Sequence, residues 1–328
     1  MSPQVTFKSN EDKAPAVSTA PAPRLREAVQ RPYVPGHGAA PAELPPTPVG
    51  LEDLGPAAAL RVTGPERELW LQGMQTNDLT AAPLGGAVEG AFLGGKGRLV
   101  ADALLFRRPD EVLIATTAER LPKLHAHLDK LLIMEDAELS VAEGLRRLRY
   151  FPGGTPPAAD EEGFAGPLGF ELLVSEARAK ELLAAVAERP QGVEAFRIGL
   201  GIPVFGKDLD EETTPIEAGL DRMISFGKGC YVGQEVVAMA TFRGRVAWNL
   251  VRLEVEGDAP APGTRLDAQR GAKGRVTSST RIGSRSVLLG YVHKEAIVPG
   301  SEVPLEDGRV ARVLGLPFGS KPGAGVCA

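Results

Sequence analysis

The chain has 328 residues, of which 43% are hydrophobic and 24% charged, and a net charge of −5. These values exclude a wholly disordered protein and give no overall field for nucleic-acid binding, so any polyanion site must be local. Two cysteines, Cys230 and Cys327, are too few for a disulfide framework or for the usual ligand set of an iron–sulfur cluster. No apolar run reaches the roughly 20 residues of a membrane span and no signal-peptide core opens the chain, so a cytoplasmic protein without membrane contact is expected.

Residues 1–48 interleave proline with alanine and offer little to bury, which predicts a disordered arm. A folding domain is expected over 49–246. Its first elements are a strand at Ala59–Gly64 and a helix opened by Pro65, with Leu69 and Leu71–Met74 facing inward. The stretch "AVEGAFLGGKGRLVADALLFRR" alternates about a glycine-rich turn, and "EVLIATT" adds a third antiparallel strand. Leu121, Leu124 and Leu128 fall at helical spacing, and "AELSVAEG" returns as a strand. A Gly/Pro crossover near 152–169 leads to strand "FELLVS" and helix "EARAKELLAAVAER". Residues 247–328 consist of short Val/Leu runs between turn residues, which predicts a small β-barrel or sandwich. The fold class expected is α+β with antiparallel sheets.

Several motifs have plain readings. His125 and His127, two apart on a helix, point to different faces and lack a matching set of metal ligands. "GGKGR" lacks phosphate-loop spacing and sits between strand patterns, so it reads as a hairpin turn. Nine Arg/Lys against four acids over residues 241–285 read either as a solvated β face or as a site for RNA or a polyglutamate tail.

The stretch "FGKGCYVGQEVV" stands apart. If it is extended, Lys228 lies on the face of Cys230, near enough to favour a thiolate; the glycines fit a tight turn around a passenger cysteine equally well. Gln234 and Glu235 open an apolar helix whose first N–H groups suit an anion. Glu171 and Glu217 are carboxylates able to pair with adjacent N–H groups of a flat ring.

Taken together, "RVTGPERELWLQGMQTNDLT", "GKGRLVADALLF", "RIGLGIPVFGKDL", "TPIEAGLDRMISFGKGCYVGQE" and "GRVTSSTRIGSRSVLLGYVHKE" resemble the T-protein of the glycine cleavage system and its relatives, from about residue 50 to the end. Within that superfamily "KGCYVGQE" resembles the signature of the YgfZ branch, folate-binding proteins linked to iron–sulfur cluster maintenance and tRNA modification. The resemblance implies a tetrahydrofolate-binding core of three subdomains around a channel, the last a β-barrel. It implies that Glu171 holds the pterin and that Asn77 and Asp78 lie near the folate channel. Arg197 is placed on a strand before "GIP". Lys228 and Cys230 are set as a functional pair facing the folate, in a loop completed by Tyr231, Gly233, Gln234 and Glu235.

Departures from the pattern are specific. The T-protein has two adjacent acids where this chain reads Ala101-Asp102, and acids where it has Pro167 and Gly199. An aminomethyltransferase needs a placed acid or base, and Asp102 is the remaining candidate. Met239 replaces an arginine usual in the YgfZ pattern, for which Arg243 or Arg245 could substitute. The leading expectation is a folate-dependent accessory protein for iron–sulfur enzymes, including tRNA-modifying ones. Its alternatives are aminomethyl transfer and a non-catalytic folate-binding interaction module.

Overall fold

The computed structural model describes residues 21–25, 45–153, 161–243, 246–267, 271 and 273–320. Its strands are β1 (Gly50–Pro56), β2 (Ala58–Thr63), β3 (Ala87–Leu93), β4 (Leu99–Arg107), β5 (Val112–Thr116), β6 (Glu138–Ala142), β7 (Leu145–Phe151), β8 (Phe164–Gly166), β9 (Gly169–Ser175), β10 (Trp248–Glu256), β11 (Arg275–Ile282), β12 (Arg285–His293), β13 (Glu302–Pro304) and β14 (Val310–Gly315). They form three antiparallel sheets, ordered β3-β4-β5-β2-β6, β1-β7-β9-β8 and β11-β12-β10-β14-β13.

The first sheet arises where the expected hairpin folds about Gly94–Arg98 and β5 pairs with β4. One face buries Leu60, Phe92, Leu105 and Ile114 under the helices Arg67–Met74 and Leu121–Leu131, which contribute Trp70, Leu71, Leu124 and Leu128. Each such side chain, fully buried, contributes about 1.5–3 kcal/mol. The other face, through Leu104, Phe106, Leu113 and Ala115, meets Leu173 of the second sheet. That sheet packs Leu148, Tyr150, Phe170 and Leu172 against the helix Glu176–Ala185, whose N-terminus is capped where Ser175 Oγ accepts the Arg178 N–H.

Four sequence expectations change. Leu69 is 75% exposed rather than inward, because the helix Arg67–Met74 turns Trp70 and Leu71 to the sheet. Arg197 lies on a helix, Val193–Leu200, that ends at Gly201 with φ +77, a conformation glycine adopts without strain. Most of the arm (1–20 and 26–44) falls outside the described residues, but Pro21–Leu25 is packed into the fold. Arg24 bridges to Glu162, and Leu25 is fully buried with Leu51 and Tyr150. Strands β1 and β7 were not foreseen. A closed C-terminal barrel is not confirmed: among the described residues the edges of that sheet are joined through isolated bridges from Arg265 to Arg275 and from Leu266 to Leu305 rather than through a paired strand.

The basic stretch, nine Arg/Lys against four acids, also resolves in part. Arg252 is buried and donates to Gly199 O and Leu316 O. Lys273, Arg281 and Arg285 are ion-paired with Glu217, Asp258 and Glu254. Arg245 and Arg270, like Cys327, lie outside the described residues.

Candidate functional site

Where the first two sheets meet, a cleft of about 80 Å³ is lined by Glu89, Asp102, Thr116, Arg147, Glu171 and Met223 together with Ala103, Leu104, Ala115 and Thr117. Period-2 alternation explains the lining: on β4 the residues facing the second sheet are Asp102, Leu104 and Phe106, and on β9 they are Glu171, Leu173 and Ser175. The polar pair Asp102 and Glu171 thus lies at one end of rows whose next members are Leu104, Phe106 and Leu173.

Glu171 sits in a charge ladder across the second sheet, since Glu52 on β1 is in register with Arg149 on β7, and Arg149 with Glu171 on β9. Arg149 donates to Glu52 Oε2 (3.1 Å) and to Glu171 Oε1 (3.1 Å), while Arg147 donates to Glu171 Oε2 (2.6 Å). Burial raises the Glu171 pKa, but the two guanidiniums outweigh it and hold the carboxylate ionised below its usual range. For Glu52 the balance is reversed: burial dominates, and its pKa is raised.

Asp102 has no such support. Part of its surface meets the cleft, yet its Oδ1 is enclosed and, among the described residues, has no hydrogen-bond partner. Burial raises its pKa against the weaker pull of its own backbone and of Arg147, Arg222 and Arg120. A native protein rarely strands a buried acceptor without use for it. Glu171, Asp208 and Glu254, the other buried carboxylates, are all paired.

A second layer adjoins the cleft at the β3 edge of the first sheet, where Gln75 bridges to Phe92. Gln75 is fully buried, and its amide binds both polar groups of the Asn77 backbone, fixing a tight turn. Asn77 Nδ2 donates to Glu89 O and Arg222 O, and Arg222 pairs with Glu89. Asp78 accepts from Gln72, from the Thr80 N–H and from the Thr80 hydroxyl. Burial pushes its pKa up, but these bonds and the Lys228 charge bring the net shift down.

Lys228 reaches the same turn. Its Nζ donates to Gln75 O (2.8 Å) and Asn77 O (2.5 Å) and lies 5.3 Å from the centre of the Tyr231 ring. The segment is irregular rather than extended, which fits the turn reading of its glycines. Cys230 is exposed, and among the described residues Lys228 makes no hydrogen bond to it. Burial pulls the Lys228 pKa down to about 8, with Asp78 opposing. Amine-directed labelling of Lys228, read by mass spectrometry across pH, is therefore expected to show a midpoint near 8. A midpoint at the ordinary lysine value of 10.5 would contradict its burial against the turn.

Tyr231 is buried, and its hydroxyl pKa is raised to about 12 by that burial. Gly233 has φ +83, and a Cβ there would stand 2.9 Å from Leu93 Cβ. A Cβ at Gly97 of the hairpin turn would stand closer still, 2.5 Å from Val236 Cβ. The helix Gln234–Arg243 thus begins against the Gly94–Arg98 turn, as its sequence led one to expect, with Gln234 and Glu235 in its first turn. Gly233→Ala is expected to cost about 1–3 kcal/mol of stability by denaturant titration; an unchanged midpoint would show that the loop is not seated there.

Of the expected site residues, Asp102 and Glu171 meet at the cleft. Asn77, Asp78, Lys228 and Tyr231 form the adjoining layer, with Gly233, Gln234 and Glu235 continuing from it. Arg197 joins neither group: it is buried and donates to Glu194, Asp208, Ile202 O and Ser278, a network that ties its helix to β11. Its expected contact with a ligand is replaced by this internal one because every guanidinium nitrogen is already engaged. Sequence reasoning missed Arg147, Arg149, Glu89 and Arg222. The alternation in "LRRLRYF", with Leu148 and Tyr150 on one face and Arg147 and Arg149 on the other, was the available signal.

No family model matches the chain. It is 28% identical to an aminomethyltransferase of Thermus thermophilus, over 76% of this chain and 81% of the relative. It is also 28% identical to the tRNA-modifying protein YgfZ of Yersinia enterocolitica, over 78% of this chain and 85% of the relative. The crystal structure of glycine cleavage system aminomethyltransferase T from Bartonella henselae superposes with a TM-score of 0.67 at 20% identity, covering 82% of this chain and 86% of that one. The fold is therefore that of the T-protein.

Proposed function

We propose that the chain, similar to aminomethyltransferases and to YgfZ and sharing the T-protein fold, is a YgfZ-like relative of the T-protein superfamily whose cleft receives the pterin edge of a tetrahydrofolate. The carrying observation is the enclosed, unpartnered Asp102 Oδ1 facing a cleft shared with Glu171. A pterin edge presents adjacent N–H groups and a carbonyl. Asp102 and Glu171 are acceptors for the first, and Arg147 is a donor for the second. The donor set fits; the space of about 80 Å³ falls short of the 300–1,000 Å³ of ordinary ligand pockets, so binding a ring requires the cleft to widen. Bound tetrahydrofolate supplies one-carbon or reducing chemistry.

The chain's own groups then divide the work. Asp102, whose carboxyl burial shifts toward the protonated form, meets the ring edge, while Glu171 stays ionised. Lys228 fixes the Gln75–Asn77 turn that backs the cleft and titrates close to neutrality. Cys230 faces outward, which suits contact with a client protein rather than with the folate. The proposed role is that of an accessory protein in the cytoplasm supporting iron–sulfur enzymes, tRNA-modifying ones among them.

Complementation tests this role. In a strain lacking the protein, wild type restores iron–sulfur-dependent tRNA modification, and Asp102→Asn and Cys230→Ala do not. Full restoration by both variants would remove the proposal. Aminomethyl transfer is the second reading, favoured by Asp102 and by the several similar aminomethyltransferases; ammonia release with lipoyl carrier and tetrahydrofolate would establish it.

A further inference from the structure

Among the described residues, the three most exposed large hydrophobic side chains come from two segments stitched together. Met134 is 91%, Ile133 80% and Leu69 75% exposed, whereas the next most exposed reach only 52%. Leu69 lies between Glu66 and Trp70. The Glu66 N–H donates to Asp136 O (3.1 Å), the Asp136 N–H donates to Glu66 Oε2 (2.6 Å), and Trp70 Nε1 donates to Leu131 O (3.4 Å). The loop bearing Ile133 and Met134 is not loose. Both of its N–H groups donate to Glu135 Oε2 (3.2 and 3.1 Å), and the Ala137 N–H donates to Glu135 O.

The rim of this surface is mainly acidic, with the exposed Lys130 at the end of the neighbouring helix the nearby exception. Glu66, Glu135, Asp136 and Glu138 are exposed, and among the described residues none of the four makes an ion pair. Hydrogen bonds from the backbone hold the Glu135 pKa down, so it stays ionised. Exposed apolar groups held rigidly within a polar rim mark a protein-contact surface rather than a random one.

We infer that Leu69, Ile133 and Met134, ringed by these acids, form a docking surface for a partner protein that presents apolar side chains within a basic patch. Charge complementarity carries the choice. A nucleic acid or an anionic membrane is repelled by the rim, and a two-fold contact with a second copy would set the four acids against themselves. None of these residues lines the cleft, so the inference does not rest on the folate reading.

A short synthetic helix with leucines on one face and lysines on the other serves as the probe, beside versions with glutamate for lysine and serine for leucine. The lysine–leucine peptide is expected to bind the full chain in a salt-dependent manner, to protect residues 66–70 and 132–138 from hydrogen exchange, and to bind Ile133→Ser/Met134→Ser at least tenfold more weakly. Both side chains are exposed, so that variant should melt with wild type, and Val298→Ser, at another exposed site, should bind normally. Equal binding of the glutamate peptide, a footprint elsewhere, or self-association abolished by Ile133→Ser would each overturn the inference.

Discussion

Arg197→Ala is expected to lower the unfolding free energy by roughly 3–5 kcal/mol, the cost of breaking a buried ion pair from one side. Arg197 is 3% and Asp208 2% exposed, and they meet at 2.7 Å. Asp208 would keep the Thr277 and Ser278 hydroxyls and the Val204 N–H but lose its counter-charge. Because Ser278 lies on β11 and the Asp208 backbone also accepts from Tyr291, the loss falls where the C-terminal sheet joins the rest. Arg197→Lys should recover only part, since one ammonium cannot serve acceptors that a planar fork reaches together. Denaturant titration of Arg197→Ala, Asp208→Asn and the double variant checks this. Losses that simply add would mean that the two residues do not act as a unit.

Asp102→Asn is expected to move binding and stability in opposite senses. Loss of a charged or proton-sharing contact to the ligand should weaken tetrahydrofolate binding roughly 10- to 100-fold. Stability at neutral pH should be unchanged or higher. Burial raises the folded pKa above the unfolded value of 3.8, so between the two the folded protein keeps a proton that the unfolded chain has released. Stability therefore falls as pH rises through that interval, and above it the full cost of the buried charge is present. Asparagine carries no charge, so this part of the pH dependence should vanish. A variant that is less stable at every pH would mark Asp102 as a structural residue.

The sequence made the local elements readable where one period dominates, as in the hairpin around Gly94–Arg98 and the leucines of Leu121–Leu131. It misled at Leu69, because a helix of only two turns offers too few positions to fix which face is buried. The strand "LRRLRYF" escaped because its buried face holds only Leu148 and Tyr150, and its charges face a cleft that exists only once two sheets meet. Asp102 and Glu171 were legible as chemistry, yet their meeting depends on the register of β4 and β9 on different sheets, which no local pattern encodes. For the Lys228–Cys230 pair the sequence left an extended segment and a tight turn equally open. In the structure, the glycines let the loop turn, and the lysine satisfies two carbonyls of a distant turn instead of its neighbour's sulfur.

The most direct test of the central claim is calorimetric titration of tetrahydrofolate into wild type, Asp102→Asn and Asp102→Asn/Glu171→Gln. The cleft reading predicts one saturable site in wild type, weakened in the single variant and absent from a folded double variant. Binding that is equal in all three, or absent from wild type, would contradict it.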